Sequence, residues 1–339
     1  PYPYKAIEVS FTNPAAGIDL SGTLTLPEGR GPFPAVVLVT GSGAQNRDEE
    51  ILGHKPFLVI ADYLARRGIA ALRYDDRGVG ASKGVFATAT TLDFAGDAEA
   101  AAACLVARPE IDAKRIGIAG HSEGAIVAAI AASRDPVVSF IVMLAGPGVR
   151  GDRLLLLQNA ALARAAGADE SFIEQANKIN ASLYAIAMRP GDSATLREEI
   201  ISALMTLRGA DAASSEAKKA GQEAQSGLVA DQLLSPWFRA FLSLDPAAYL
   251  AKVSIPVLAM NGSKDLQVPA DDNLPAIGRA LESAGNRRYT LLKLDGLNHL
   301  FQHAGTGRPE EYGTITETFA PEALAAMGDW IASVALKGE

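Results

Sequence analysis

Apolar and polar positions alternate in "AIEVSFT" and again in "IDLSGTLTL", with Asn13-Pro14 and Gly17 between them. A period of two is that of a half-buried strand, and the intervening residues predict a short loop joining two strands. "EGRGPFP" reads as a loop by its glycines and prolines. Beyond it the period changes. "AVVLVT" carries an unbroken apolar run, as in a strand covered on both faces. "PFLVIADYLARRG" predicts a helix with Pro56 at its first turn and Gly68 at its end. Strand "IAALRYDD", helix "TTLDFAGDAEAAAACLVAR", strand "RIGIAG", helix "EGAIVAAIAASRD" and strand "VVSFIVMLAGPG" follow in turn.

From about Gly151 to Asp245 this rhythm stops. "RLLLLQNAALARAAG", "ESFIEQANKINASLYAIAMR" and "SATLREEIISALMTLRG" are helical by period, while the polar, Ala-rich "ADAASSEAKKAGQEAQSG" predicts a mobile helix or a loop. The alternation returns with strand "IPVLAMNG", helix "DNLPAIGRALESAG", strand "RYTLLKL" and helix "PEALAAMGDWIASVAL". Strands alternating with helices predict an α/β fold, a mostly parallel central sheet flanked by helices. Residues 1–150 and 246–339 would form this core, and 151–245 a helical cap inserted over the strand ends. Ligands of such sheets gather at the carboxyl ends of the strands.

One strand end carries chemistry. "RIGIAG" runs into Gly120-His121-Ser122-Glu123-Gly124, which fits G-x-S-x-G, a serine on a sharp strand-to-helix turn. A serine hydroxyl needs a base to take its proton and a third group to orient that base. The chain has four histidines. His299, in "LDGLNHLF" just past the last strand, is the expected base. His303, four residues on, is expected to shape the site. His54 reads as a loop residue and His121 as a packing or hydrogen-bonding one.

The acid is expected at another strand end, and Asp265 in "IPVLAMNGSKDLQVP" lies there. Asp295 is only four residues before His299, and Asp271-Asp272 read as helix-start acids favoured by the helix dipole. For the oxyanion, the N–H of Glu123 at the helix start is one expected donor. Ser42 N–H, or next to it Gly43 N–H, in Thr40-Gly41-Ser42-Gly43 is the other, since glycines allow close backbone approach.

With "TGSGAQNRDE", "YDDRGVGASKG", "GHSEG" and "NGSKDLQVP…LNHLF" in this order, the chain resembles the α/β-hydrolase superfamily, and within it a group of bacterial serine esterases. The order Ser122, Asp265, His299 is that superfamily's nucleophile–acid–base order. Thr40 stands where the resembling oxyanion loop carries histidine, which changes what supports the loop. The resemblance implies carboxylesterase activity on short acyl esters, with no metal and no cofactor, and a small-molecule substrate. An acyltransferase or acyl thioesterase would use the same triad. A non-catalytic binding module on a hydrolase scaffold is the alternative of another class. Asp75, Asp76 and Arg77 are expected to form an ion-paired loop anchor, and Glu123 to pair with Arg47 or Arg77. Trp237 and Phe238 are expected to pack the insertion on the core and to line the acyl pocket.

Composition narrows the field further. The 339 residues are 48% hydrophobic and 21% charged, ordinary for a globular protein. With a net charge of −8 and no Lys/Arg run longer than two, no nucleic-acid partner is expected. The single cysteine, Cys104, excludes an internal disulfide and reads as a small buried core residue. No apolar stretch reaches 18 residues, so no membrane span is expected. The start "PYPYKAIEV", without Met, is that expected of a processed or trimmed form, and leaves cytoplasmic, periplasmic and secreted settings open. Oligomeric state is left open too.

Overall fold

The computed structural model describes residues 2–207 and 216–336. These fall into two compact units, one made of the residues up to Val149 and those from Asp245, the other of Arg150–Leu244.

The first unit is built on one eight-stranded sheet. Its strands are β1 (Tyr4–Asn13), β2 (Ile18–Pro27), β3 (Phe33–Val39), β4 (Ala70–Tyr74), β5 (Ile111–His121), β6 (Val138–Leu144), β7 (Val257–Gly262) and β8 (Tyr289–Leu294). They lie in the order β1-β2-β4-β3-β5-β6-β7-β8. β1 and β2 pair antiparallel, as their period of two and short turn require, and β2 joins β4 antiparallel. All other neighbours are parallel. The continuous apolar runs are the central strands, and β3, β4 and β7 are buried almost throughout.

Helices connect these strands: α1 (Pro56–Ala65), α2 (Thr91–Val106), α3 (Glu123–Ala132), α9 (Pro246–Leu250), α10 (Ala270–Ser283) and α11 (Pro321–Ala335), numbered along the whole chain. One face of the sheet presents Val36, Leu38, Ala119, Val142, Leu258 and Met260 to Phe57, Ile60 and Leu64 of α1 and to Met327 and Ile331 of α11. On the other, α2 and α3 pack on each other and on β5. α2 opens with a capping box in which Thr90 and Asp93 satisfy each other's amides.

The chain path creates the crevice. From β3 it steps to β4 on one side, then crosses to β5 on the other. At such a reversal the loops leaving two adjacent parallel strands diverge, opening a gap at their carboxyl ends. The loop 40–55 leaves β3 there and Ser122 leaves β5, with Val39 and Gly120 paired in register just below.

The second unit is helical, with α4 (Gly151–Ala165), α5 (Glu170–Met188), α6 (Ser193–Leu207), α7 (Glu216–Leu233) and α8 (Pro236–Ser243). It has its own apolar cluster around Leu183, Tyr184, Ala187, Ile200, Ala230, Leu233 and Leu242. The polar, Ala-rich stretch is helical from Glu216 onward; its residues 208–215 lie outside those described. α8 carries no long periodic signal and is started by Ser235, whose hydroxyl accepts from the Phe238 amide, and by Pro236. Among the described residues, no helix is long and apolar enough to cross a membrane. Cys104 is half-buried on α2, not fully buried as expected, and burial pushes its thiol pKa up.

Candidate active site

Ser122 sits between the last residue of β5 and the first of α3, with φ 53° and ψ −117°. A non-glycine residue in that region is strained, and strain of this kind collects at functional turns. Its N–H donates to Leu144 O at 2.8 Å, which fixes the turn to the end of β6. The flanking glycines are a matter of space. A Cβ on Gly120 would lie 1.9 Å from Gly124 O, and one on Gly124 would lie 2.2 Å from Val39 O. The strand, turn and helix therefore meet more tightly than any side chain allows.

Asp265 and His299 leave the adjacent strands β7 and β8, on the same side of β6 from Ser122's strand. Asp265 Oδ2 accepts from His299 Nδ1 at 2.9 Å, and both residues are 3% exposed. The other carboxylate oxygen accepts from the amides of Gln267 and Val268 at 2.9 and 2.8 Å. The carboxylate is thus held from both ends, and its charge faces the imidazole. Because Asp265 accepts, Nδ1 carries the proton and Nε2 is the basic nitrogen. The His299 main chain is fixed by His121, whose Nε2 donates to His299 O at 2.9 Å. The rings of His121 and His299 lie 4.7 Å apart. The loop carrying His299 is thereby fastened to the residue next to Ser122.

The loop after β3 is supported by buried carboxylates. Thr40 Oγ1 donates to Asp76 Oδ1 at 2.8 Å, and Gln45 N–H to Asp76 Oδ2 at 2.9 Å. Gly41 N–H donates to Glu49 Oε1 at 2.6 Å. Among the described residues, the amides of Ser42 and Gly43 meet no acceptor. Burial pushes the Asp76 carboxyl up to about 7, against the hydrogen bonds from Gln45 and Thr40. Glu123 is the first residue of α3 and follows Ser122 directly.

The expected anchors divide into two kinds. Asp75 pairs with Arg47, and Arg77 with Asp97, as ion pairs at 2.8 and 2.7 Å. Asp76 between them acts through hydrogen bonds instead. Glu123 was expected against Arg47 or Arg77. Those two arginines are held by Asp75 with Glu8 and by Asp97, while Glu123 Oε1 accepts from Thr91 Oγ1 at 2.6 Å. Thr91 opens α2, so this bond ties α2 to the turn carrying Ser122. Nothing in the local sequence of either residue announces it, nor does any pattern mark Glu49 as the partner of His121.

The remaining candidates have partners of their own. Both ring nitrogens of His303 face carboxylates, Glu317 at 2.9 Å and Glu322 at 2.8 Å, on a half-exposed side chain. That leaves the ring no nitrogen for a substrate. Trp237 stacks on Phe241 with ring centroids 5.0 Å apart, and Phe238 packs beside Tyr184 in the helical unit's apolar cluster. His54 bonds Thr318 Oγ1 and Tyr312 O, each at 3.1 Å, joining two loops.

Comparison with known proteins finds esterases and α/β-hydrolases. Esterase EstD of Thermotoga maritima is 30% identical over 299 residues, which cover 86% of this chain; the chain spans 61% of that relative's length. The α/β-hydrolase GrgF from Penicillium sp. sh18 superposes with a TM-score of 0.59 at 17% identity, covering 98% of this chain and all of that one. An esterase of Pyrococcus furiosus gives 0.57 at 17% identity, covering 98% and 92%. Similarity at that level establishes the shared α/β-hydrolase fold. Residues 55–303 match the family described as serine aminopeptidase, S33. With most of its length inside that match and the fold of its structural neighbours, the chain belongs to the serine aminopeptidase, S33, family of α/β-hydrolases.

Proposed function

We propose that the protein hydrolyses carboxylic esters of short acyl chains through an acyl-enzyme, with Ser122 as nucleophile, His299 as base and Asp265 as the group that orients it. The observation that carries this reading is the buried Asp265–His299 pair, fastened through His121 to the strained turn bearing Ser122. In this mechanism His299 Nε2 takes the serine proton as Oγ attacks the ester carbonyl. The carbonyl carbon becomes tetrahedral, and its oxygen takes the negative charge. The amides of Glu123 and of Ser42 or Gly43 are assigned to that oxyanion, each such donor contributing roughly 3 kcal/mol to the transition state. His299 then returns the proton to the leaving alkoxide. Water attacks the acyl-enzyme in the second half, with His299 again as base. No step calls on a metal or cofactor.

That the Thermotoga relative is an esterase supports the ester as substrate. The family description favours a second reading, cleavage of an N-terminal amide bond, on the same triad. Thioesters are the further competitor, because a triad does not by itself select the leaving group. The helical unit enters the chain between β6 and β7, and the proposal assigns it the selection of the acyl group as a cap.

The test is turnover of p-nitrophenyl acetate and butyrate beside acyl-CoA and an aminoacyl p-nitroanilide. The ester should be the preferred substrate. Ser122→Ala should lose more than about 10³-fold in kcat, and a fluorophosphonate should label Ser122 in the wild type. Full turnover by Ser122→Ala, or an unlabelled Ser122, would end the reading.

A further inference from the structure

Behind the proposed triad lies a second carboxylate–imidazole pair that the mechanism does not use. Glu49 Oε1 faces His121 Nδ1 at 2.9 Å. The two side chains are buried, and they connect backbone on both sides. Glu49 Oε1 also accepts from Gly41 N–H at 2.6 Å, in the loop that carries the assigned oxyanion donors. On the other side His121 Nε2 donates to His299 O at 2.9 Å, in the loop that carries the base. We propose that Glu49 and His121 form a positioning pair that locks the oxyanion loop and the base loop to each other across the back of Ser122, with His121 protonated on both ring nitrogens.

The hydrogen bonds dictate the charge. A main-chain carbonyl only accepts, so Nε2 must carry a proton. With Glu49 ionised, as the proposal takes it, Oε1 accepts both the Gly41 amide and an N–H from Nδ1. An imidazolium satisfies both ends, whereas a neutral ring would turn a lone pair toward one of two acceptors. The surroundings agree. Besides Glu49, the charged or titratable groups facing His121 are the His299 ring and, beyond it, Asp265. Asp76 in turn feels the charge of Glu49. From α1 come Pro56, Phe57 and Ile60, from the end of β6 Leu144, and from the chain beyond β8 Leu300, Phe301 and Phe319, all apolar. Burial works against the charge on His121, but the Glu49 carboxylate and the His299 carbonyl outweigh it, so the ring holds its proton above the usual imidazole range. Glu49 itself is a non-glycine residue at φ 51°, a conformation kept only where the surroundings enforce it.

The consequence for chemistry is geometric. Misplacing a catalytic group by about 1 Å can cost on the order of 10²-fold in rate. Donors and base come from loops far apart in sequence, and the Glu49–His121 bridge sets their spacing through main-chain atoms, independent of the substrate. The inference rests on the triad reading given above.

The experiment uses the full chain with Glu49→Gln, His121→Gln and the double variant. p-Nitrophenyl butyrate kinetics are followed across pH, and fluorophosphonate labelling of Ser122 is timed. Each single variant should lose on the order of 10²-fold in kcat with KM changed less than about threefold, and the double variant should lose no more than the worse single one, as for residues acting as a unit. In the wild type kcat should fall on the alkaline side as His121 loses its proton, and Glu49→Gln should move that fall to lower pH. Nitrogen NMR of the wild type, independent of whether the variants fold, should show both His121 ring nitrogens protonated near neutral pH. The pair is overturned if a labelled, active wild type is matched by variants within about threefold in kcat, if the alkaline limb stays in place in Glu49→Gln, or if His121 carries one proton. A wild type that fluorophosphonate does not label at Ser122 overturns the triad reading, and the pair with it.

Discussion

Thr40 and Asp76 meet through a 2.8 Å hydrogen bond beneath the loop that leaves β3, and a buried carboxyl thereby does the work of holding that loop. Thr40 is the residue where the sequence departs from the histidine of the resembling loops. Its hydroxyl can donate to a carboxylate or accept from a carboxylic acid, and so tolerates either form of Asp76.

That tolerance bears on stability. Burial raises Asp76 to about 7 from an ordinary 3.8. Between about pH 4 and 7 the folded chain holds a proton that the unfolded chain releases, so stability should fall as pH rises through that window. The whole effect is bounded at about 4 kcal/mol, from roughly 1.4 kcal/mol per pKa unit. In Asp76→Asn the amide can donate to Thr40 and accept from Gln45, mimicking the protonated acid. Urea midpoints measured across pH should show this part of the slope in the wild type and its loss in Asp76→Asn. An unchanged slope in the variant would exclude Asp76 as its source.

Asp265→Asn should keep the fold and lose activity. The amide oxygen can still accept from Gln267 and Val268, which hold the loop. Its NH₂ would then face His299 Nδ1 and favour the tautomer protonated at Nε2, the wrong one for a base. A fall in kcat of about 10³- to 10⁴-fold is expected, with an unchanged thermal midpoint. Activity within tenfold of wild type would place the orienting acid elsewhere.

Gly120→Ala and Gly124→Ala should each be strongly destabilising. In both, the new methyl meets backbone and not a movable side chain. Overpacking of this kind costs about 1–3 kcal/mol or more, and here it also displaces Ser122. Thermal midpoints and ester turnover should drop together, and a stable, fully active Gly120→Ala would show the turn to be looser than described.

Asp97→Ala should destabilise more than Asp97→Asn. Asp97 accepts from Arg77 Nε and Nη2 at 2.7 and 2.9 Å and from Asn13 Nδ2 at 2.7 Å, all buried. Removing the carboxylate leaves the buried Arg77 charge only the more exposed Asp93 carboxylate at 3.6 Å, a loss of at most about 3–5 kcal/mol. Asparagine keeps one acceptor and should lose less. Denaturant midpoints of the two variants decide the order.

Much of this organisation was legible in the chain itself. Ser122, Asp265 and His299 each follow an apolar run closely, so the parallel strands mark the sheet edge at which they emerge. Glu49 and Thr91 were not legible. Their partners, His121 and Glu123, stand 72 and 32 residues away, and a hydrogen bond between loops leaves no periodic trace. α7 was ambiguous because its Ala-rich stretch carries few apolar residues; Ala230 and Leu233, near its end, pack into the helical unit's cluster. His303 was illegible for a related reason: proximity in sequence to His299 says nothing about the Glu317 and Glu322 side chains that meet it.

The helical unit begins and ends at one point. Gly151 N–H donates to Leu244 O at 3.0 Å, so the ninety-odd residues between them leave and rejoin the chain through a single closed neck. A segment tied off in this way behaves as a cassette. It can be lengthened, shortened or exchanged for a different one without altering the spacing of β6 and β7.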